Sequence, residues 1–253
     1  MTTETAPRRA FGTARRDRWW LPPLATGLGL AAFGVYALVA AVLGEDYHYT
    51  VGGADYLSPF YSPDLAGWGL DVPFSSAFLV LWVPLGFRAT CYYYRKAYYR
   101  AYFLSPPACT VVPPRKGRYR GEAAFPYVLM NAHRYFLFFS TIVLGFLWYD
   151  AGRAFVFDGA LGVGVGSLVL LANAVLLSLF TFGCNSFRHL VGGRLDCFTC
   201  SARARARHKL WRGVGVLNGR HMEWAWISLL WVALADVYVR LAAGGVFDDP
   251  RII

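Results

Sequence analysis

The chain has 253 residues, of which 57% are hydrophobic and 16% are charged, and its formal net charge is +10. Uncharged apolar runs long enough to cross a bilayer exclude a soluble globular protein and an intrinsically disordered one. The basic residues cluster in segments that flank these runs, where juxtamembrane charge is expected. The charge therefore gives no indication of nucleic-acid binding.

Five apolar runs predict five transmembrane helices, since a hydrocarbon core of roughly 30 Å needs about 20 mainly apolar residues in a helix. In chain order they cover residues 21–43, 72–91, 125–149, 159–184 and 221–243. A run of tyrosines and basic residues is expected to continue the second helix to residue 103, beyond the membrane. We predict an all-α integral membrane protein: a basic segment over 1–20, then one five-transmembrane-helix bundle over 21–253.

The distribution of basic residues predicts how these helices are oriented. The connections over residues 88–120 and 188–220 hold eight Lys or Arg each, while the other connections carry mainly acidic charges. The N-terminal segment adds Arg8, Arg9, Arg15, Arg16 and Arg18. The positive-inside rule then places the N-terminus in the cytoplasm and the C-terminus outside. We expect no cleavable signal peptide, because the first apolar run is too long and no small-residue cleavage site follows it.

Four potential metal ligands are predicted to lie near the cytoplasmic boundary of the membrane. Counting 1.5 Å per residue places Cys91 and Cys184 at the ends of two helices, His221 at the start of the fifth and His133 about two turns inside the third. Two thiolates and two imidazoles suit a Rieske-type [2Fe-2S] cluster or a tetrahedral zinc ion. The alternative is that these are ordinary buried side chains, which cysteines often are.

A b-type haem is the competing cofactor. Ligation by two histidines needs imidazoles on facing helices, and His133 with His221 is the pair at suitable depth. The first, second and fourth predicted helices have no histidine in their apolar runs, so the sequence allows one haem at most. His189, about one turn beyond Cys184, is the reserve metal ligand should His133 or His221 not bind.

A separate Cys-x-x-Cys pair, Cys197 and Cys200, lies in the second basic connection. It is half of a zinc knuckle, which His208 and Cys109 would complete. The alternative is two free thiols in an ordinary loop, because structural disulfides are not expected in a reducing cytoplasm.

Two charged residues fall inside the fifth apolar run, where ionisable groups are costly. Asp236 and Arg240 are spaced i, i+4, so they are predicted to pair on one face of the helix. The alternative is a point of proton uptake from outside.

A quinone site is predicted at the same boundary as the potential ligands. A quinone needs hydrogen-bond donors beside an apolar slot, and Arg88, Arg134, His189 and Trp224 are donors at that level. Interfacial anchoring, or a phospholipid contact at Arg134, is the alternative for these residues.

Several segments together resemble a known family. They are Phe87-Arg-Ala-Thr-Cys-Tyr-Tyr-Tyr-Arg95, His133-Arg-Tyr-Phe136, Arg188-His-Leu-Val-Gly-Gly-Arg194, and Leu217-Asn-Gly-Arg-His221 with Ala225-Trp226. In order and spacing they are similar to the actinobacterial membrane-anchor subunit of succinate dehydrogenase/fumarate reductase. The resemblance implies a multi-pass subunit of the bacterial plasma membrane that contains no succinate site. A flavoprotein subunit and an iron-sulfur subunit would dock on it, and electrons would pass through it to a quinone, menaquinone by preference.

The resemblance also bears on the cofactor. Five-helix relatives of the wider superfamily hold two haems on four histidines, and this sequence departs from that pattern. The haemless branch, with a Rieske-type cluster in the membrane, fits Cys91, His133, Cys184 and His221 better. It assigns no role to Cys109, Cys197 or Cys200, and it leaves a higher oligomer of the complex open. A cofactor-free anchor and a transporter remain as alternatives.

Overall fold

The computed structural model describes residues 10–70, 72–114 and 121–252. Arg8, Arg9, Asp71 and the basic residues between 115 and 120 lie outside the described part of the chain. The helices are α1 Leu21–Leu43, α2 Ala77–Thr90, α3 Tyr92–Ala101, α4 His133–Arg153, α5 Val165–Phe182, α6 Asn185–Gly192, α7 Ala202–Gly219 and α8 His221–Ala243, with a 3₁₀ helix over Tyr127–Ala132. Two short antiparallel hairpins pair β1 His48–Val51 with β2 Ala54–Leu57, and β3 Val156–Phe157 with β4 Ala160–Leu161. This mostly helical structure agrees with the predicted all-α class.

Within the described ranges, four helical segments are long and apolar enough to cross a membrane: Leu21–Leu43, Tyr127–Arg153, Val165–Phe182 and His221–Ala243. Helix α2, in the second predicted span, has 14 residues. It is therefore about 21 Å long, shorter than a hydrocarbon core of roughly 30 Å. Pro73 disfavours the predicted start at residue 72, because the residue before a proline avoids helical backbone angles. Five spans and their orientation thus stay predictions.

The ends of the helices differ from the predicted ones at three places. Cys91 is extended, with φ −68° and ψ 131°, so the predicted continuous helix to residue 103 is broken into α2 and α3. His133 is the first residue of α4 rather than two turns inside a helix. Helix α5 begins at Val165 and not at 159, because Gly159, with φ +81°, turns the chain between β3 and β4.

The chain divides into two compact units, residues 1–35 with 88–132 and residues 36–87 with 133–253. In the first unit, the Tyr102 hydroxyl donates to the Gly27 carbonyl at 2.7 Å and so attaches α1 to the end of α3. An ion pair of 3.2 Å joins Arg95 of α3 to Glu122. A single membrane domain over 21–253 remains a prediction.

The second unit packs α5 against α4 and α8, and the β1–β2 hairpin completes its core. Tyr56 of β2 is fully buried beside Leu170 of α5 and Val239 of α8. A Cβ at Gly166 would lie 2.6 Å from the Tyr56 ring, so only glycine lets α5 approach the hairpin this closely. The Tyr56 hydroxyl donates to Asp249 at 2.7 Å, which ties the C-terminal segment to the same core.

The predicted pair in the last helix is confirmed. Arg240 Nε lies 2.9 Å from the Asp236 carboxylate, and Asp236 is fully buried. The hydroxyls of Tyr36 and Ser58 also donate to this carboxylate. The guanidinium donates further to the Ala40 carbonyl at 2.8 Å. The buried charge is therefore fully hydrogen-bonded, and the network connects α1, the residues after β2 and α8.

We expect Asp236→Asn to destabilise the protein, because it leaves Arg240 without its anion. Breaking a buried ion pair costs about 3 kcal/mol or more. Thermal unfolding in detergent measures the loss, and Asp248→Asn, at an exposed carboxylate of the same C-terminal region, is the matched control. Equal unfolding temperatures for the two variants would contradict this role for the pair.

Candidate functional site

The four predicted ligands all lie at helix ends. Cys91 precedes α3 and Cys184 precedes α6, each as the N-cap residue. His133 and His221 are the first residues of α4 and α8. At a helix N-terminus the backbone N–H groups lack intrahelical partners and favour negative charge. Such a position stabilises a cysteine thiolate, which is the form that binds metal.

Cys184 shows how the chain builds such a position. Its Sγ accepts a hydrogen bond from the Phe187 N–H at 3.3 Å, and the residue is 1% exposed. The preceding Gly183 carbonyl accepts from the Asn218 amide at 2.9 Å, so α7 closes over the end of α5. The thiol is held away from water by these packed helix ends. Cys91 is also buried, at the corresponding position of α3.

Two phenylalanines orient the two histidines. The His133 ring stacks on Phe87 with centroids 4.5 Å apart, and the His221 ring stacks on Phe180 with centroids 5.0 Å apart. Phe87 and Phe180 in turn meet edge to face at 5.6 Å. This aromatic cluster, His133–Phe87–Phe180–His221, joins α2, α4, α5 and α8 through their ends. It fixes the planes of both imidazoles with apolar surfaces.

The sequence contains a signal for this cluster that our sequence analysis missed. Phe87 lies four residues before Cys91, and Phe180 lies four residues before Cys184. The repeated Phe-x-x-x-Cys spacing places an aromatic ring one helical turn before each cysteine. Neither phenylalanine was predicted to take part in a site.

Two cysteine sulfurs and two histidine nitrogens are the donor atoms of a Rieske-type [2Fe-2S] centre. All four residues lie at helix ends. No group of three or more His, Cys, Asp or Glu side chains comes together as a metal site within residues 10–70, 72–114 and 121–252. Ligation by the four residues therefore remains a prediction.

The predicted quinone residues have different surroundings. Arg88, in the first unit, hydrogen-bonds to the Tyr94 hydroxyl and lies over the Tyr94 ring. Arg134 and His189 are exposed in the second unit. Trp224 is three residues after His221 on α8, and its indole Nε1 is buried without a hydrogen-bond partner among the described residues. A buried donor left unpaired is costly, so Trp224 is the one that most needs an acceptor.

The second basic connection differs from the predicted loop, since it folds into α6 and α7. Cys197 and Cys200 form a disulfide with a Cα separation of 5.8 Å, so the expectation of free thiols is wrong, while the half zinc knuckle stays a prediction. The pair lies directly before Ser201, which caps α7 by accepting from the Ala204 N–H at 3.1 Å. The turn into this helix brings the two Cα atoms within the usual range for a disulfide. The expected partner His208 instead stacks on Phe198 at 4.4 Å.

Comparisons with known proteins agree on one family. The family model described as actinobacterial succinate dehydrogenase subunit SdhC matches residues 21–245. A solved structure described as the Mycobacterium smegmatis Sdh1 complex in the apo form contains a chain that is 42% identical, with a TM-score of 0.87. The similarity covers 98% of each chain. No curated protein matches. The match over nearly the whole chain shows that it belongs to the actinobacterial succinate dehydrogenase subunit SdhC family.

Proposed function

We propose that the chain is the membrane-anchor subunit of a succinate:quinone oxidoreductase and passes electrons to a quinone. The family and the apolar helices support the anchor role. The similar chain was solved in an Sdh1 complex, which supports flavoprotein and iron-sulfur subunits as partners. The basic connections would face these partners in the cytoplasm, as the positive-inside rule predicts. Succinate itself would bind elsewhere in the complex.

The aromatic cluster is the observation that supports a redox centre in this chain. It holds His133 and His221 in fixed orientations, and fixed ligands at buried positions need little reorganisation when charge changes. We propose Cys91, His133, Cys184 and His221 as the ligands of a Rieske-type [2Fe-2S] centre. When bound, such a centre supplies one-electron transfer at a potential raised by its histidine ligands. The N-terminal ends of α3 and α6 would stabilise the two thiolates.

The quinone would bind near Trp224. A buried indole N–H without a partner costs about 1–3 kcal/mol, and a quinone carbonyl is an acceptor that would satisfy it. The position of Trp224 one helical turn after His221 places this donor on the same face of α8 as a proposed ligand. Arg88, Arg134 and His189 remain the other predicted donors, and menaquinone is the proposed quinone.

We expect Cys184→Ser to abolish the Rieske-type [2Fe-2S] signal and quinone reduction, while the signals of the partner iron-sulfur subunit persist and the complex still assembles in part. The oxygen of serine is a poorer ligand for iron than a thiolate. Electron paramagnetic resonance of the purified complex, with iron and acid-labile sulfide analysis, measures the effect. Cys109→Ser is the control, because Cys109 is exposed and outside the disulfide.

An unchanged spectrum in Cys184→Ser would contradict the ligand role. An optical haem spectrum in the wild-type complex would favour the single-haem alternative. Copurifying subunits without iron, sulfide or haem in this chain would indicate a purely structural anchor, and the absence of both subunits and cofactors would favour a transporter.

We expect Trp224→Phe to weaken quinone binding while leaving the iron-sulfur signal unchanged. Phenylalanine keeps an aromatic ring but removes the N–H donor. The loss of one neutral hydrogen bond, about 1 kcal/mol, predicts a KM for quinone that is higher by about fivefold. Steady-state quinone reduction measures it, with Trp148→Phe as the control, since Trp148 already donates to Ser178 at 3.0 Å. Equal KM values for the two variants would refute a quinone contact at Trp224.

A further inference from the structure

A cleft of about 170 Å³ opens between α6 and α7, on the basic connection that follows α5. Its lining residues are Asn185, Arg188, His189, Gly192, Gly193 and Trp211. Most of the polar side chains around it are hydrogen-bond donors, and no carboxylate lines it. The cleft therefore suits an anion.

Arg188 is the central cation of this cleft. Its guanidinium lies 4.5 Å from the centre of the Trp211 indole, and a cation held on an aromatic face keeps its N–H groups available. Its Nε is buried and has no hydrogen-bond partner among the described residues. The ion pairs found among these residues do not involve Arg188 either. The planar fork of donors is therefore positioned by stacking, and no described residue binds it.

The backbone around the cleft is fitted to this stack. A Cβ at Gly192 would lie 2.4 Å from Trp211 Cδ1, so a larger residue would push the indole away. A Cβ at Gly215 would lie 3.8 Å from Arg188 Nε, which shows how closely the guanidinium approaches α7. Arg207 donates to the carbonyls of Val191 at 2.9 Å and Gly193 at 2.7 Å, and so fixes the end of α6. These contacts form a rigid receptor for a small anion.

The depth of the cleft indicates what the anion is. Arg188 follows the end of α5 at Phe182 by six residues, of which the last four lie in α6. The headgroup layer extends roughly 5–7 Å beyond the hydrocarbon on each side, so a long side chain this close to the end of α5 would reach lipid phosphates. Leu190 and Leu210, which follow and precede the lining residues His189 and Trp211 in the sequence, are exposed, and acyl chains would cover them.

We propose that this cleft binds the phosphate group of an anionic phospholipid, with Arg188 as a forked donor and His189 and Asn185 as additional donors. Arginine suits phosphate because two parallel N–H groups match two phosphate oxygens. The proposal assigns His189 to a lipid instead of to the quinone. It rests on the membrane location of the chain and is independent of any redox centre.

Native mass spectrometry of the intact complex tests the proposal, with phosphatidylglycerol or phosphatidylcholine added in detergent. We expect Arg188→Gln to lower the apparent affinity for phosphatidylglycerol by about tenfold, the usual worth of a charge-assisted hydrogen bond. Arg212→Gln removes the same charge from an exposed position of α7 outside the cleft, and we expect it to change the affinity less than twofold. Gly192→Ala is the second variant, because it displaces Trp211 and keeps every charge.

Several outcomes would overturn the proposal. Equal retention of phosphatidylglycerol by wild type and Arg188→Gln would show that the cleft does not hold the lipid. An equal loss in Arg212→Gln would show that only the overall charge matters. Inorganic phosphate that displaces phosphatidylglycerol at equal concentration would identify a free anion as the ligand. A loss in both Arg188→Gln and Gly192→Ala, with an unchanged iron-sulfur signal, would support the lipid site and separate it from the proposed redox role.

Discussion

The edge-to-face contact between Phe87 and Phe180 is the interaction on which the candidate site depends. Each ring supports one imidazole, so the positions of His133 and His221 follow from how α2 and α5 meet at this point. Aromatic pairs of this geometry contribute about 0.5–1.5 kcal/mol beyond their buried area. Their larger effect here is geometric, since four helix ends come together around two rings whose planes are fixed.

Helix ends near a membrane boundary have a constraint of their own. Backbone groups without a partner are costly where water is scarce, and this chain satisfies them in two ways. Near Cys184, the Asn218 amide binds the Gly183 carbonyl and the thiol accepts an N–H. At the other end of α8, the buried Asp236 and Arg240 gather hydroxyls and a carbonyl from distant segments. The contacts near Cys184 leave sulfur and imidazole atoms at the helix ends. The network around Asp236 and Arg240 is closed and holds helices together.

The second basic connection is more than a link between helices. In the second one, a disulfide and Ser201 start α7, while Arg207 fixes the end of α6. Between these two helices Arg188 lies over the Trp211 ring, and its Nε has no hydrogen-bond partner among the described residues. This short segment thus lies between two proposed ligands, Cys184 before it and His221 directly after it, and carries the proposed lipid site.

Local patterns in the sequence determined what depends on neighbours along the chain. The first and last helices end where the apolar runs end, and the pairing of Asp236 with Arg240 follows from their i, i+4 spacing. The donor types at Cys91, His133, Cys184 and His221 are a matter of composition. The tertiary structure decided the break at Cys91, the start of α4 at His133, the stacking of Phe87 and Phe180 on the histidines, and the Arg188–Trp211 cleft. These features depend on contacts between residues far apart in the chain, and such contacts override the hydrophobic periodicity from which helix ends are predicted.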